Sequence, residues 1–251
     1  MELLYILPTG WDIPPSSFSL TPAHLRYRLG PGPRLLGGGL TPALRGGAMV
    51  VGGPAPPGDP ACLCRQIMAE CARRCFDRVI FDGEGAPTEP LGRLAAALGE
   101  SCQRAGLPLY LPETLAPYAP HCRVLVSSAL RSGTLEGRLG AAAERYGTDR
   151  IALAVEVLAE DAPLPVRGAG EPLEREALDA LMARLEPAVF FDRGLCAHYF
   201  TYLSRGGQAH FVLFDTPRSV REKLSLARRL GVPSALLAAP QTEGWLEEIL
   251  R

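Results

Sequence analysis

Phe-Asp-Arg-Val-Ile-Phe-Asp-Gly-Glu-Gly occupies residues 76–85, and the interpretation of the whole chain depends on it. The β-branched and aromatic run at 79–81 predicts a short buried strand, and Asp82 and Glu84 follow at its carboxyl end. Because residues two apart in a strand point to the same face, these two carboxylates are expected to project together. Shared burial of close carboxyl groups raises the pKa of one of them, which prepares it to donate a proton. This pair is the predicted catalytic centre.

Further apolar runs of strand length recur along the chain, and most are separated by segments of helical periodicity. They predict strands at Leu3–Leu7, His24–Leu29, Ala48–Gly53, Leu107–Leu111, Arg123–Ser128, Ile151–Leu158 and Ser234–Ala239. A chain of 251 residues fits one (β/α)8 barrel of the α/β class, so we predict a single domain over residues 1–251. In such barrels the catalytic residues sit at the carboxyl ends of the strands.

The amino-acid composition limits which kinds of partner the chain is expected to bind and in which cellular compartment it is expected to lie. The chain is 47% hydrophobic and 21% charged with a net charge of −1, which gives no electrostatic case for binding nucleic acid or an anionic membrane. Residues 1–8 lack the basic flank and cleavage site of a signal peptide, and no apolar run is long enough to span a bilayer. A cytoplasmic location is the default expectation, and association with a spore stays open.

Seven cysteines, an odd number with irregular spacing, favour free thiols in a reducing compartment. Four of them cluster at Cys62, Cys64, Cys71 and Cys75, and four thiolates could hold zinc. Their Cys-x-Cys-x6-Cys-x3-Cys spacing is uncommon for zinc, whereas helical spacing suits thiols that pack onto a sheet. We therefore expect core packing here and no metal site.

The acidic stretch resembles the signature of glycoside hydrolase family 18, which includes chitinases, endoglycosidases and spore cortex-lytic enzymes. That family carries Asp-x-x-Asp-x-Asp-x-Glu on its fourth barrel strand, and here the positions read Asp77, Ile80, Asp82 and Glu84. Three of the four acidic positions match. The family's Ser-x-Gly-Gly motif, one strand earlier, is matched in its glycines by Gly52–Gly53, while its serine is replaced by valine.

The last third of the chain carries the second part of the resemblance. An aromatic strand ends at Asp215, an Arg-Ser-x-x-x-Lys-Leu segment follows at 218–224, and a closing strand ends near residue 239. Two family features are missing: the Met-x-Tyr-Asp motif has no counterpart at 127–129, and 238–241 replace the terminal tryptophan. The resemblance implies a barrel. The α+β subdomain that the family inserts before the final strand is expected to be absent from this chain.

The function that the resemblance implies is hydrolysis of a β-linked N-acetylhexosamine glycan, such as chitin or peptidoglycan, without metal or organic cofactor. Glu84 would act as general acid and then base, and Asp82 would orient the acetamido group. Glu113 and Glu156 are further candidates, because one ends a predicted strand and the other lies within one. The predicted substrate-binding residues are Asp77, Gly52, Gly53, Trp11, Glu113, Glu156, Tyr199 and Tyr202, the three aromatic ones as surfaces for stacking sugars.

Two other functions remain compatible with these residues. One is a catalytically inactive barrel that binds a glycan or a protein, which the missing motifs favour and the retained Asp82 and Glu84 oppose. The other is an unrelated metabolic barrel enzyme in which Asp82, Glu84 and Glu113 hold a divalent metal. The sequence leaves the glycan and the oligomeric state undetermined.

Overall fold

The computed structural model describes residues 1–12, 19–39, 44–54, 58–82 and 88–251. Eight parallel strands form a closed barrel, because the first strand pairs with both the second and the last. In chain order these strands are β1 (Glu2–Leu7), β2 (Thr21–Leu29), β4 (Ala48–Gly52), β5 (Arg78–Asp82), β6 (Leu109–Pro112), β7 (Arg123–Ser127), β8 (Ile151–Val155) and β14 (Ser234–Ala238). A short strand, β3 (Leu35–Gly37), extends β2 in antiparallel fashion. The predicted α/β barrel is confirmed.

The barrel strands are buried on both faces, which explains their nearly continuous apolar sequences. Residues that point outward pack beneath the helices, as Val79 and Phe81 do, while Ile80 between them points into the barrel. Tyr110 fills the lower interior, and its hydroxyl accepts a 2.8 Å hydrogen bond from Arg123 at the amino end of β7. The interior layer consists of Leu4, Ala23, Ala48, Val50, Ile80, Tyr110, Ala152 and Leu236.

Helices cover the outside of the barrel. They are α1 (Pro60–Arg74), α2 (Glu89–Ala105), α3 (Leu135–Tyr146), α5 (Pro217–Arg229), α6 (Ala239–Thr242) and α7 (Leu246–Leu250), and a short 3-10 helix follows β6 at Ala116–Tyr118. Their ends follow the local sequence: Asp59 caps α1, Gly106 ends α2 in the left-handed conformation, and Thr216 and Ser219 form a capping box on α5.

An α+β insertion lies between β8 and β14, so the expectation that none was present is wrong. Its sheet has the order β10-β9-β13-β12-β11, with every pair antiparallel. The strands are β9 (Ala159–Pro163), β10 (Glu171–Pro172), β11 (Phe190–Asp192), β12 (Ala197–Leu203) and β13 (Ala209–Phe214), and the helix is α4 (Arg175–Leu185).

The insertion escaped prediction because three of its strands are two to five residues long and carry proline or acidic residues without a clear alternation. Of its strands the sequence predicts only the aromatic one that ends at Asp215, which is β13. Its helix α4 begins at Arg175, three residues after Pro172 of β10. Leu178 and Leu181 of this helix pack on one face of the sheet, against Phe200, Val212 and Phe214.

A buried ion pair joins the insertion to the barrel. Nζ of Lys223, the chain's single lysine, lies 2.6 Å from Oδ2 of Asp215, and both side chains are fully buried. The same Oδ2 accepts the backbone N–H of Leu158 at 2.9 Å, and Oδ1 accepts the hydroxyl of Ser219 at 2.6 Å. The backbone N–H of Asp215 in turn donates to the carbonyl of Leu158. Asp215 thus binds the beginning of the insertion to its end.

Replacing Lys223 with methionine should lower the free energy of unfolding by about 3–5 kcal/mol, because the Asp215 carboxylate would stay buried without its cation. Urea denaturation followed by circular dichroism measures this loss. The matched control is Arg93→Met, which breaks the exposed ion pair with Glu89 and should change stability by less than about 1 kcal/mol. Equal losses in the two variants would contradict the structural role of the buried pair.

Candidate active site at the mouth of the barrel

A cavity of about 390 Å³ opens at the carboxyl ends of the barrel strands. Inward-facing apolar residues form its floor, and polar side chains from the strand ends and from α3 form its rim. The apolar lining is Ile6, Leu25, Val50, Ile80, Pro112, Leu125, Ala154, Val155, Leu236 and Ala238. The polar lining is Asp82, Glu113, Thr114, Ser127, Arg138, Glu156 and Gln241. An apolar pocket with a few convergent polar groups is the usual form of a small-ligand site.

Asp82 is the last residue of β5, and its side chain lines the cavity. It points inward because it lies two residues after Ile80, which belongs to the interior layer. Gly52 is its register partner on β4, so the glycine of the predicted pair ends its strand directly beside the carboxylate. The following residue, Gly53, is buried and has a φ of 98°, a conformation that favours glycine. Glu84, the predicted proton donor, lies outside the described residues.

Glu113 reaches the same cavity from the segment after β6, as predicted. Arg138 of α3 binds it through two nitrogens: Nη1 lies 3.2 Å from Oε1, and Nη2 contacts Oε2. Sequence reasoning missed this arginine. One feature of its position indicates a place at the cavity. A helix that follows a barrel strand starts near the mouth, and Arg138 lies in the first turn of α3. The pair makes this part of the rim neutral and leaves other guanidinium N–H groups for a ligand.

Glu156 also lines the cavity, although not from within a strand as predicted. β8 ends at Val155, because the next backbone N–H donates to the hydroxyl of Ser128 at 3.1 Å instead of continuing the ladder. The Glu156 side chain is therefore exposed at the rim and needs no buried partner. Gln241 lies beside it, and its Oε1 accepts the N–H of Val157.

Two other predicted substrate-binding residues, Asp77 and Trp11, are not part of the cavity lining. Asp77 precedes the first residue of β5, roughly 16 Å of strand from Asp82, and forms an ion pair with Arg78 at the opposite end of the barrel. Asp77 therefore does not lie in the predicted substrate site. The acidic motif spans a whole strand, so its two ends lie at opposite ends of the barrel. Trp11 packs against the outer core, and its carbonyl accepts a hydrogen bond from Arg26.

The two predicted tyrosines lie on β12 of the insertion, on opposite faces of its sheet. Tyr202 points to the α4 side, where its hydroxyl donates to Asp161 at 2.6 Å and its ring stacks on His210. Through these contacts Tyr202 stabilises the packing of β12 with β13 and β9. Tyr199 points to the other face, where it stacks between Phe190 and Phe211.

The cysteine cluster shows mainly core packing. Cys64 and Cys71 are buried under α1, and burial raises the pKa of their thiols to about 11 and about 12. Cys75 differs from the prediction, because it is exposed and ends α1 in the left-handed conformation. Among the residues that the structure describes, no three His, Cys, Asp or Glu side chains gather as a metal site. No helix in the described part is long and apolar enough to cross a membrane.

Solved structures of several other proteins have a fold similar to that of this chain. The spore cortex-lytic enzyme SleL of Bacillus megaterium QM B1551 aligns with a TM-score of 0.65 and 15% identity over 100% of this chain and 74% of its own. A chitinase of Chromobacterium violaceum aligns with a TM-score of 0.65 and 15% identity, covering 98% of this chain and 97% of its own. A class V chitinase of Pseudomonas fluorescens Pf-5 gives 0.63 and 14%, covering 90% of each chain.

The comparison confirms that the fold is the barrel of the chitinases and cortex-lytic enzymes that the sequence motifs resemble. No protein-family model and no curated protein sequence matches the chain. At 15% identity the structural likeness establishes the fold and does not establish the chemistry of the mouth.

The role of Tyr202 as a structural residue can be tested by its titration. Burial and the hydrogen bond to Asp161 raise the pKa of Tyr202 to about 12, above the value near 10 of an unfolded tyrosine. Because the protonated hydroxyl is the donor, its contribution to stability should be complete below pH 10 and lost as the pH rises towards 12. The difference in free energy of unfolding between wild type and Tyr202→Phe should therefore shrink between pH 9 and pH 11.5. A stability difference that stays constant over this range, with a tyrosine titration at 295 nm that is the same in wild type and Tyr202→Phe, would contradict the role.

Proposed function

We propose that the chain is a glycoside hydrolase that cleaves a β-linked N-acetylhexosamine glycan of the chitin or peptidoglycan type at the barrel mouth. One observation carries the proposal. Asp82 ends the fourth barrel strand inside the cavity and lies two residues before Glu84, in a barrel shared with a chitinase and a cortex-lytic enzyme.

Glu84 is the proposed proton donor to the leaving sugar oxygen, and afterwards the base that activates water. Asp82 is the proposed assisting carboxylate, which orients the acetamido group so that the substrate's own carbonyl oxygen attacks the anomeric carbon. The place of Asp82 in the cavity lining, two residues after the inward-pointing Ile80, supports its assignment.

The rim of the cavity suits a neutral sugar. Glu113 and Arg138 offer acceptors and donors to hydroxyl and amide groups without net charge, and Glu156 and Gln241, after the next strands around the barrel, add further polar contacts. The inward aliphatic residues give the apolar face of a pyranose ring a surface to lie on. A free glycan of N-acetylglucosamine is therefore the proposed partner, and neither metal nor organic cofactor is part of the proposal.

A second candidate is a barrel that binds such a glycan without cleaving it. The observation in its favour concerns the end of β7, where the family's acetamido-binding tyrosine is missing. Ser127 lines the cavity there but its hydroxyl accepts the N–H of Ala129, and the hydroxyl of Ser128 is bonded to the backbone N–H of Glu156. Neither serine replaces the reach of a tyrosine, so binding could persist where turnover is lost.

Hydrolysis of chromogenic N-acetylglucosamine oligomers and of purified peptidoglycan should fall by about 10²–10⁴-fold in Glu84→Gln, which retains the shape but loses the proton. Asp82→Asn should lose activity to a similar degree, because the assisting charge is removed. Asp77→Asn is the matched control: it changes an aspartate of the same stretch at the far end of the strand and should keep near wild-type turnover.

Three outcomes separate the candidates. Turnover by wild type and Asp77→Asn that is lost in the other two variants supports the hydrolase. Calorimetric binding of chitotetraose by wild type, without turnover of any substrate, supports the non-hydrolytic barrel. Absence of both turnover and binding would overturn the carbohydrate proposal.

A further inference from the structure

A second cavity, of about 480 Å³, lies between α3, α5 and the turn that joins β11 to β12. This α3–α5 cleft has a floor of Phe191, Cys196 and Leu226, of which the last two are buried. The turn is fixed against the start of α3, because the backbone N–H of Leu135 donates to the carbonyl of Gly194 at 2.8 Å. The cleft is therefore built from three elements, and its volume is sufficient for a ligand of several linked groups.

Three arginine side chains line the cleft. Arg193 lies on the turn, Arg218 in the first turn of α5 and Arg229 at the end of the same helix. The guanidinium of Arg218 lies over the Phe191 ring, 5.6 Å from its centroid. Within residues 88–251, which the structure describes without a gap, none of the three guanidinium groups forms an ion pair or a hydrogen bond. Their N–H groups are therefore available to the carboxylates of a ligand.

Two carboxylates in the same cleft give it a mixed charge. Glu222 lies one turn after Arg218 on α5, and Glu136 lines the cleft from α3. Neither is ion-paired with another residue in the described part of the chain. A purely anionic ligand would be repelled by these two groups, whereas a ligand with several carboxylates and an amine can match both signs of charge.

The α3–α5 cleft lies beside the barrel mouth, with the first turn of α3 between them. Glu136 lines the cleft and Arg138, two residues later, lines the mouth, so the two cavities are separated by about one helix diameter, roughly 10–12 Å. The Arg218 end of the cleft is nearer the mouth, since α5 runs towards the amino end of β14. From Arg218 to Arg229 the helix rises about 16 Å, which is the span of about five extended residues.

We infer that the α3–α5 cleft binds a short peptide that carries several carboxylates and an amino group, of the kind attached to the glycan strands of peptidoglycan. The inference rests on the proposed function and deepens it, because chitin carries no peptide and peptidoglycan then becomes the preferred substrate of the two. Arg193 and Arg218 hold carboxylates of the peptide, and Glu222 holds its amine. A peptide attached to a sugar just outside the mouth enters at the Arg218 end.

Isothermal titration calorimetry with the free tetrapeptide stem of peptidoglycan, without any glycan, tests the inference. Wild type should bind the peptide, and Arg218→Gln should weaken binding at least about tenfold, because charge-assisted hydrogen bonds are lost. Glu222→Gln should weaken it severalfold, because the amine loses its partner. The matched control is Arg228→Gln, which removes an exposed arginine of the same helix outside the cleft lining and should bind like wild type. Thermal melting establishes that every variant is folded.

Absence of peptide binding by wild type overturns the inference, and so does equal binding by the folded Arg218→Gln variant. Tighter peptide binding by Glu222→Gln, with inorganic phosphate bound as well as the peptide, would also overturn it, since the cleft would then be a simple anion site. Failure of the proposed function is recognised separately, because turnover of chromogenic oligomers involves no peptide and is measured with the Asp82 and Glu84 variants.

Discussion

The buried contact between Asp215 and Lys223 is the constraint on which the arrangement of the two sheets depends. A barrel strand ends at Val155 and the chain resumes its barrel path only at Pro217, so an insertion of about sixty residues must begin and end at one place. The carboxylate of Asp215 meets this requirement. It accepts hydrogen bonds from the N–H of Leu158 at the start of the insertion and from the hydroxyl of Ser219 in α5, and it forms an ion pair with Lys223. Removing such ions from water is unfavourable, and the desolvation is offset only because every oxygen finds a donor.

The depth of the mouth follows from side-chain volume inside the barrel. Tyr110 and its arginine partner fill the amino end of the barrel, where Ala23, Ala48 and Ala152 belong to the same interior cluster. This filled interior confines the cavity to the end where the strands present Asp82, Glu113 and Glu156. The same packing that stabilises the barrel therefore decides where a ligand can enter, and the polar groups at the strand ends decide which ligands it accepts.

Much of the barrel could be predicted from the sequence, because a strand buried on both faces leaves an unmistakable apolar run, as at 79–81 and 151–155. Carboxylates at the ends of such runs, including Asp82 and Glu113, were found for the same reason. Arg138 could not be found in this way, because a long side chain reaches the mouth from a helix and leaves no pattern in the strands. The insertion was missed since its strands are short and gain their stability from neighbours distant in sequence, which local periodicity does not record.

The burial of Lys223 has a practical consequence for the chemistry of the folded surface. Every other basic side chain among the 251 residues is an arginine or a histidine, so Lys223 is the one side chain that carries a primary amine, and the native fold buries it. Amine-reactive dyes, cross-linkers and surface-coupling reagents should therefore leave this side chain unmodified while the fold is intact. Lys223 becomes available to them only when the Asp215 contact breaks, so labelling of this residue reports whether the contact between barrel and insertion is intact.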